Sequence, residues 1–134
     1  MRVRPLAIAG AWEISPTVHA DARGSFYEWF TDADFTTMTG HRLDLQQANV
    51  SVSAAGVLRG LHFAELPPGQ AKYVSCLHGS VFDVVVDIRV GSPTFGQWVG
   101  ARLSAENKHQ LWVPPGLAHG FLVLSESADF LYKT

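Results

Sequence analysis

An all-β fold, a sandwich or small barrel, is what this sequence predicts, and three features predict it. The apolar segments are short and rich in Val, Phe, Trp and Leu; Gly, Pro and Ser punctuate them; and polar and apolar residues alternate within them. In order, the expected strands are Ala11–Ile14, Gly24–Phe30, Leu45–Val52, Val57–Phe63, Ala71–Leu77, Ser80–Arg89, Gln97–Leu103, His109–Val113, His119–Leu124 and Ala128–Lys133. Turn signals separate them at His78-Gly79, Gly91-Ser92-Pro93 and Pro114-Pro115-Gly116. One short helix is expected over Asp32–Met38, with Thr31 or Asp32 as its N-cap.

Alternation then assigns faces. Val81, Asp83, Val85 and Asp87 share one side of their strand, against Phe82, Val84, Val86 and Ile88. Lys72, Val74 and Cys76 point one way, and Phe130 and Tyr132 share a face near the chain end. Polar side chains among apolar strand neighbours describe the lining of a ligand cavity better than a dry core.

Bulk composition narrows the function. A length of 134 residues suits one domain and one core, and 47% hydrophobic with 16% charged residues is the opposite of a disordered composition. A formal net charge of −2 without a basic run argues against a nucleic-acid surface. No apolar run is long enough for a signal peptide or a membrane span, so neither secretion nor membrane insertion is expected. The single cysteine, Cys76, has no internal partner and reads as a buried strand thiol in a reducing, cytoplasmic setting.

Five places carry residues suited to chemistry. Within Gly56–Phe63, Arg59 and His62 fall on opposite faces under strict alternation, unless Gly60 marks a bulge. On one cavity they would set a cation for an anionic substrate beside a titratable base; otherwise they are a surface arginine and a hydrogen-bonded histidine. Lys72 is either a solvated strand residue or an inward cation that must hold negative charge. Asp83, amid valines, needs a partner if buried, and Lys72 on a neighbouring strand is one candidate. His119 sits where a turn opens a strand and suits a metal ligand, but the other ligands of such a site are not evident. Position 64, where a second histidine would follow His62, is Ala64, so metal is the weaker reading. Finally, Arg23, Phe26 and Glu28 offer a cation, a ring and a carboxylate suited to phosphate and base, or simply an edge strand with a salt bridge.

Taken together, Asp21 through Glu28, Gln47 through Ser51, Gly56 through Phe63, Pro67 through Lys72, Val84 through Arg89 with Gly91 through Gly96, and Gly116 through Phe121 resemble the dTDP-4-dehydrorhamnose 3,5-epimerase family of the cupin superfamily. The resemblance implies a cupin-type jelly-roll barrel spanning residues 1–134 and a homodimer that exchanges N-terminal strands. It implies a dTDP-linked 4-keto-6-deoxy sugar as substrate, with neither metal nor cofactor. The implied reaction converts dTDP-4-dehydro-6-deoxy-D-glucose to dTDP-4-dehydro-L-rhamnose by proton removal and return at C3 and C5, in dTDP-L-rhamnose biosynthesis. By position, His62 is the base, Lys72 steadies the enolate and Tyr132 is the opposing acid. Asp83 and His119 line the sugar pocket, and Arg59 and Arg23 meet the diphosphate. Gln47, Ala48, Asn49, Phe26 and Glu28 surround the nucleotide, with Arg23, Phe26 and Glu28 arriving from the neighbouring subunit. Family members run on beyond the tyrosine, where an aspartate orients the base, whereas this chain stops at Thr134. The alternatives are a 3-epimerase of a secondary-metabolite deoxysugar and a non-catalytic nucleotide-sugar-binding cupin.

Overall fold

In the computed structural model, which describes residues 1–134, twelve strands and one helix form the expected all-β jelly roll. The strands are β1 (Arg2–Pro5), β2 (Trp12–Ser15), β3 (Val18–Asp21), β4 (Gly24–Tyr27), β5 (Ala48–Ala54) and β6 (Leu58–His62), then β7 (Lys72–His78), β8 (Ser80–Asp87), β9 (Trp98–Ser104), β10 (Gln110–Val113), β11 (Leu117–Val123) and β12 (Ser127–Lys133). A six-stranded sheet in the order β1-β2-β10-β7-β12-β5 faces a four-stranded sheet in the order β6-β11-β8-β9. The β3–β4 hairpin pairs with neither.

Two of these strands, β1 and β3, lie outside the expected set. Both are short and mostly exposed, so neither carries the buried alternation that marks a strand in a sequence. The strand expected over Gly24–Phe30 ends at Tyr27, where the chain turns towards α1 (Asp32–Thr39). Of the two N-cap candidates the structure selects Thr31, in extended conformation, although its hydroxyl makes no capping bond. Asp32 and Asp34 in the first turn suit the positive end of the helix dipole, and Gly40 ends the helix at φ +73°, where glycine carries no Cβ penalty.

Alternation places the core as the sequence predicts. Val81, Val85, Leu103, Phe121 and Val123 from the smaller sheet pack against Val74, Cys76, Leu111, Val113 and Phe130 from the larger. Burial pushes the Cys76 thiol up to about 11, so it is unreactive packing. The larger sheet is also covered on its outer face, where Ile14, Tyr73 and Trp112 meet Phe35 of α1 and Leu43. Its central strands β10 and β7 are therefore largely buried on both faces.

One buried carboxylate ties the distal loop to the frame. Asp87 accepts hydrogen bonds from the Arg89 backbone N–H and guanidinium at 3.0–3.1 Å and from the hydroxyls of Ser92 and Thr94. Arg89 also donates to the Ala9 carbonyl, 3.1 Å away, pinning the N-terminal segment. These donors, Arg89 foremost, hold the Asp87 carboxyl far below the usual carboxylate range. A depressed folded pKa supplies stability that is complete above the unfolded value, about 3.9, and is lost as pH falls below it. Asp87→Asn therefore lowers unfolding free energy by roughly 3 kcal/mol near neutrality. In urea titrations, the gap between wild type and variant narrows as pH drops below about 4. An unchanged gap would assign the stabilisation elsewhere.

Candidate active site

Consecutive strands β5 and β6 are edge strands of opposite sheets, and they flank a cavity of about 110 Å³ between the layers. Its wall is built by Ser51 from β5, Arg59 and His62 from β6, Lys72 from β7, His119, Gly120 and Phe121 from β11, and Phe130 and Tyr132 from β12.

A bulge brings Arg59 and His62 together. His62 pairs with His119 and Arg59 with Phe121, so three steps along β6 match two along β11. The extra residue puts both side chains on the inner face, resolving the alternation conflict. Gly60 makes this possible: its φ is +121°, and a Cβ there would stand 2.8 Å from the Gly120 Cα and 2.9 Å from the His119 carbonyl oxygen. Arg59 is then held by its Nε–H, which donates to the buried Ser53 hydroxyl at 2.8 Å.

Lys72 and Tyr132 reach the cavity from the opposite sheet, with Tyr132 in register with Val74, two residues from Lys72. Burial draws the Lys72 ammonium below the usual lysine value, and the Asp83 charge pulls it back up. Asp83 is 0% exposed and lies behind His119 rather than on the cavity wall. Its hydrogen-bonded partner is His119, Nε2 to Oδ2 at 2.7 Å, and not Lys72 as the sequence suggested. Desolvation raises the Asp83 carboxyl, opposed by the charge and hydrogen bond of His119 and then by Lys72. The His119 ring also stacks on Phe130 at 6.1 Å, fixing its plane. No three His, Cys, Asp or Glu side chains converge anywhere in the chain.

The remaining candidates separate into two groups. Ala48 and Asn49 begin β5 and Gln47 immediately precedes it; Gln47 donates to the Asn49 side chain at 2.9 Å, and Asn49 is in register with Tyr132. Arg23, Phe26 and Glu28 do not reach the cavity. On the hairpin Arg23 pairs with Asp21 at 2.6 Å, and Phe26 is 66% exposed, an unusual state for a phenylalanine. Ser51 and Ser53 are site residues that the sequence reading did not single out. Their signal is the period-two run Asn49, Ser51, Ser53, small polar residues on one face of β5.

Comparison with known proteins places this geometry. The family model described as dTDP-4-dehydrorhamnose 3,5-epimerase matches residues 5–134. A dTDP-4-dehydrorhamnose 3,5-epimerase of Mycobacterium tuberculosis is 58% identical over 132 residues, 98% of this chain and 65% of the relative. The chain thus spans just under two-thirds of that protein's length. A Legionella pneumophila 3,5-epimerase solved in complex with dTDP-4-keto-L-rhamnose superposes with TM-score 0.94 at 51% identity, covering 98% of this chain and 70% of that one. A 3′-monoepimerase of Streptomyces bikiniensis, solved with dTDP as a double mutant in one histidine and one tyrosine, superposes with TM-score 0.93 at 44% identity, covering 96% and 65%.

Proposed function

The chain belongs to the dTDP-4-dehydrorhamnose 3,5-epimerase family, and from that membership we propose that it epimerises a dTDP-linked 4-keto-6-deoxy sugar at the carbons beside the ketone. The observation that carries this reading is the convergence of His62, Lys72 and Tyr132 on one cavity with Arg59 in its wall. A proton α to a ketone is weakly acidic, so its removal needs a base, a cation at the ketone oxygen and an acid on the other face. His62 takes the proton from C3, and the C–H electron pair moves into the enolate with its charge on the C4 oxygen. The Lys72 ammonium holds that charge. Tyr132 returns a proton to the opposite face of C3, and exchange with solvent restores histidine and phenol. Because C4 also flanks C5, the same three groups serve the second centre, giving dTDP-4-dehydro-L-rhamnose.

Arg59, braced by Ser53, lies where it can meet the diphosphate, with Gln47, Ala48 and Asn49 towards the nucleotide. Arg23, Phe26 and Glu28 serve the site of a second copy in a homodimer with exchanged N-terminal strands. An unattached hairpin with an exposed phenylalanine supports that arrangement. The shared core of the two large sheets supports reading residues 1–134 as one cupin domain. No helix is long and apolar enough to cross a membrane, and the free buried thiol of Cys76 fits a cytoplasmic enzyme.

Proton NMR of dTDP-4-keto-6-deoxyglucose with the protein in heavy water tests the proposal. The C3 and C5 proton signals are expected to disappear as deuterium enters. Loss at C3 alone identifies a 3-epimerase, the activity of the Streptomyces relative. Binding of dTDP with neither signal lost would reduce the protein to a nucleotide-sugar binder.

A further inference from the structure

Asp83, together with its hydrogen-bonded partner His119, is left without a task by the proposed reaction. It is fully buried on the inner face of β8, in register with Phe121 of the cavity wall. One carboxylate oxygen is held by His119, while the other, Oδ1, is buried with no hydrogen-bond partner. An unsatisfied buried carboxylate oxygen is expensive and needs a reason. The charged or titratable side chains on the cavity wall are Lys72 from β7, His119 from β11, Arg59 and His62 from β6, and Tyr132 from β12. On β9 the residue opposite Asp83 is Ala101, which carries no charge. Of the cavity-lining groups, Lys72 and His119 are the two whose charges act on Asp83.

We propose that Asp83 is a positioning residue: the Asp83–His119 pair, through the open Oδ1, supplies the counter-charge that keeps Lys72 an ammonium and draws it to one side of the cavity. Lys72 is half-buried on the cavity wall, and burial favours loss of its proton. A neutral amine would steady an enolate poorly, so the reaction needs a buried negative charge that does not itself touch the sugar. His119 keeps that carboxylate oriented, with its own ring clamped against Phe130. The assignment rests on the epimerase reading for its purpose but not for its test.

The chain has three lysines, Lys72, Lys108 and Lys133, so reductive ¹³C-methylation gives few resonances, and Lys72→Ala identifies that of Lys72. Asp83→Asn is expected to move the Lys72 titration to lower pH, and Asp83→Glu, which keeps the charge, to restore it. The alkaline limb of kcat/KM follows, with activity near pH 9 falling roughly tenfold relative to pH 7, the effect of losing one nearby opposite charge. In a Lys72→Arg background, whose guanidinium stays charged, Asp83→Asn leaves the limb in place. The wild-type Lys72 resonance also shows a second, acidic inflection as Asp83 titrates, a readout that requires no variant to fold. Absence of that inflection, or a Lys72 titration unmoved in folded Asp83→Asn, would overturn the proposal. Because the NMR titration needs no substrate, a shifted Lys72 without sugar deuteration would fail the epimerase reading and leave this one standing. Deuteration with an unmoved Lys72 would do the reverse.

Discussion

Lys72→Ala turns over the 4-keto sugar nucleotide on the order of 10² to 10³ times more slowly than the unaltered protein while still binding dTDP. Negative charge reaches the ketone oxygen only as the α-proton leaves, so the ammonium acts on the transition state far more than on the bound substrate. Lys72 enters the cavity from β7, among His62, His119 and Tyr132, whereas Arg59 approaches on the β6 bulge braced by Ser53. In the proposed reaction the two cations serve different anions, Lys72 the enolate and Arg59 the diphosphate. Single-turnover rates and a dTDP titration of the same variant separate the roles. Near-normal turnover with collapsed dTDP affinity would make Lys72 a phosphate ligand.

Tyr132→Phe is expected to uncouple proton removal from inversion. Tyr132 stands on the inner face of β12, two residues beyond Phe130, whose ring lies 6.4 Å from its own. Substitution by phenylalanine keeps that packing and removes only the hydroxyl. Inversion requires a proton to leave one face of the sugar and another to arrive at the opposite face, which one histidine cannot accomplish on a fixed ring. A phenol, with a reference pKa near 10, donates well to an enolate and is a poor base at neutral pH. His62 therefore continues to exchange the α-proton with solvent, seen as deuterium incorporated with retention, while inverted product falls on the order of 10² or more. The solved relative altered in one histidine and one tyrosine still carries dTDP, so nucleotide binding is the control to apply here. Undiminished inverted product from folded, dTDP-binding Tyr132→Phe would place the acid elsewhere.

How much of this site was legible beforehand depended on range. Period-two alternation is a local signal, and it grouped Lys72 with Val74 and Cys76, Asp83 with Val81 and Val85, and Tyr132 with Phe130, while leaving open whether Lys72 pointed inwards. The turn signals and the short helix are local too, and they were readable for the same reason. The strands β1 and β3 were not, because an exposed edge strand has no buried face to imprint on its sequence. The resemblance carried the roles of His62, Lys72 and Tyr132, which no periodicity can assign.

What the sequence by itself determined is therefore the all-β class, the faces of the strands and the family; what only the tertiary structure decided is who meets whom. Gly60 was visible as a possible bulge, but whether Arg59 and His62 share a face depended on the backbone of Gly120, a residue sixty positions away. Asp83 was visible as a buried charge in need of a partner, yet the choice of His119 over Lys72 depended on the register of β8 against β11. Ser53 acquired meaning only once β5 and β6 were set side by side with Arg59 across from its hydroxyl. Faces follow from the chain's local stereochemistry, whereas partners follow from long-range packing and register, which no short window of sequence contains.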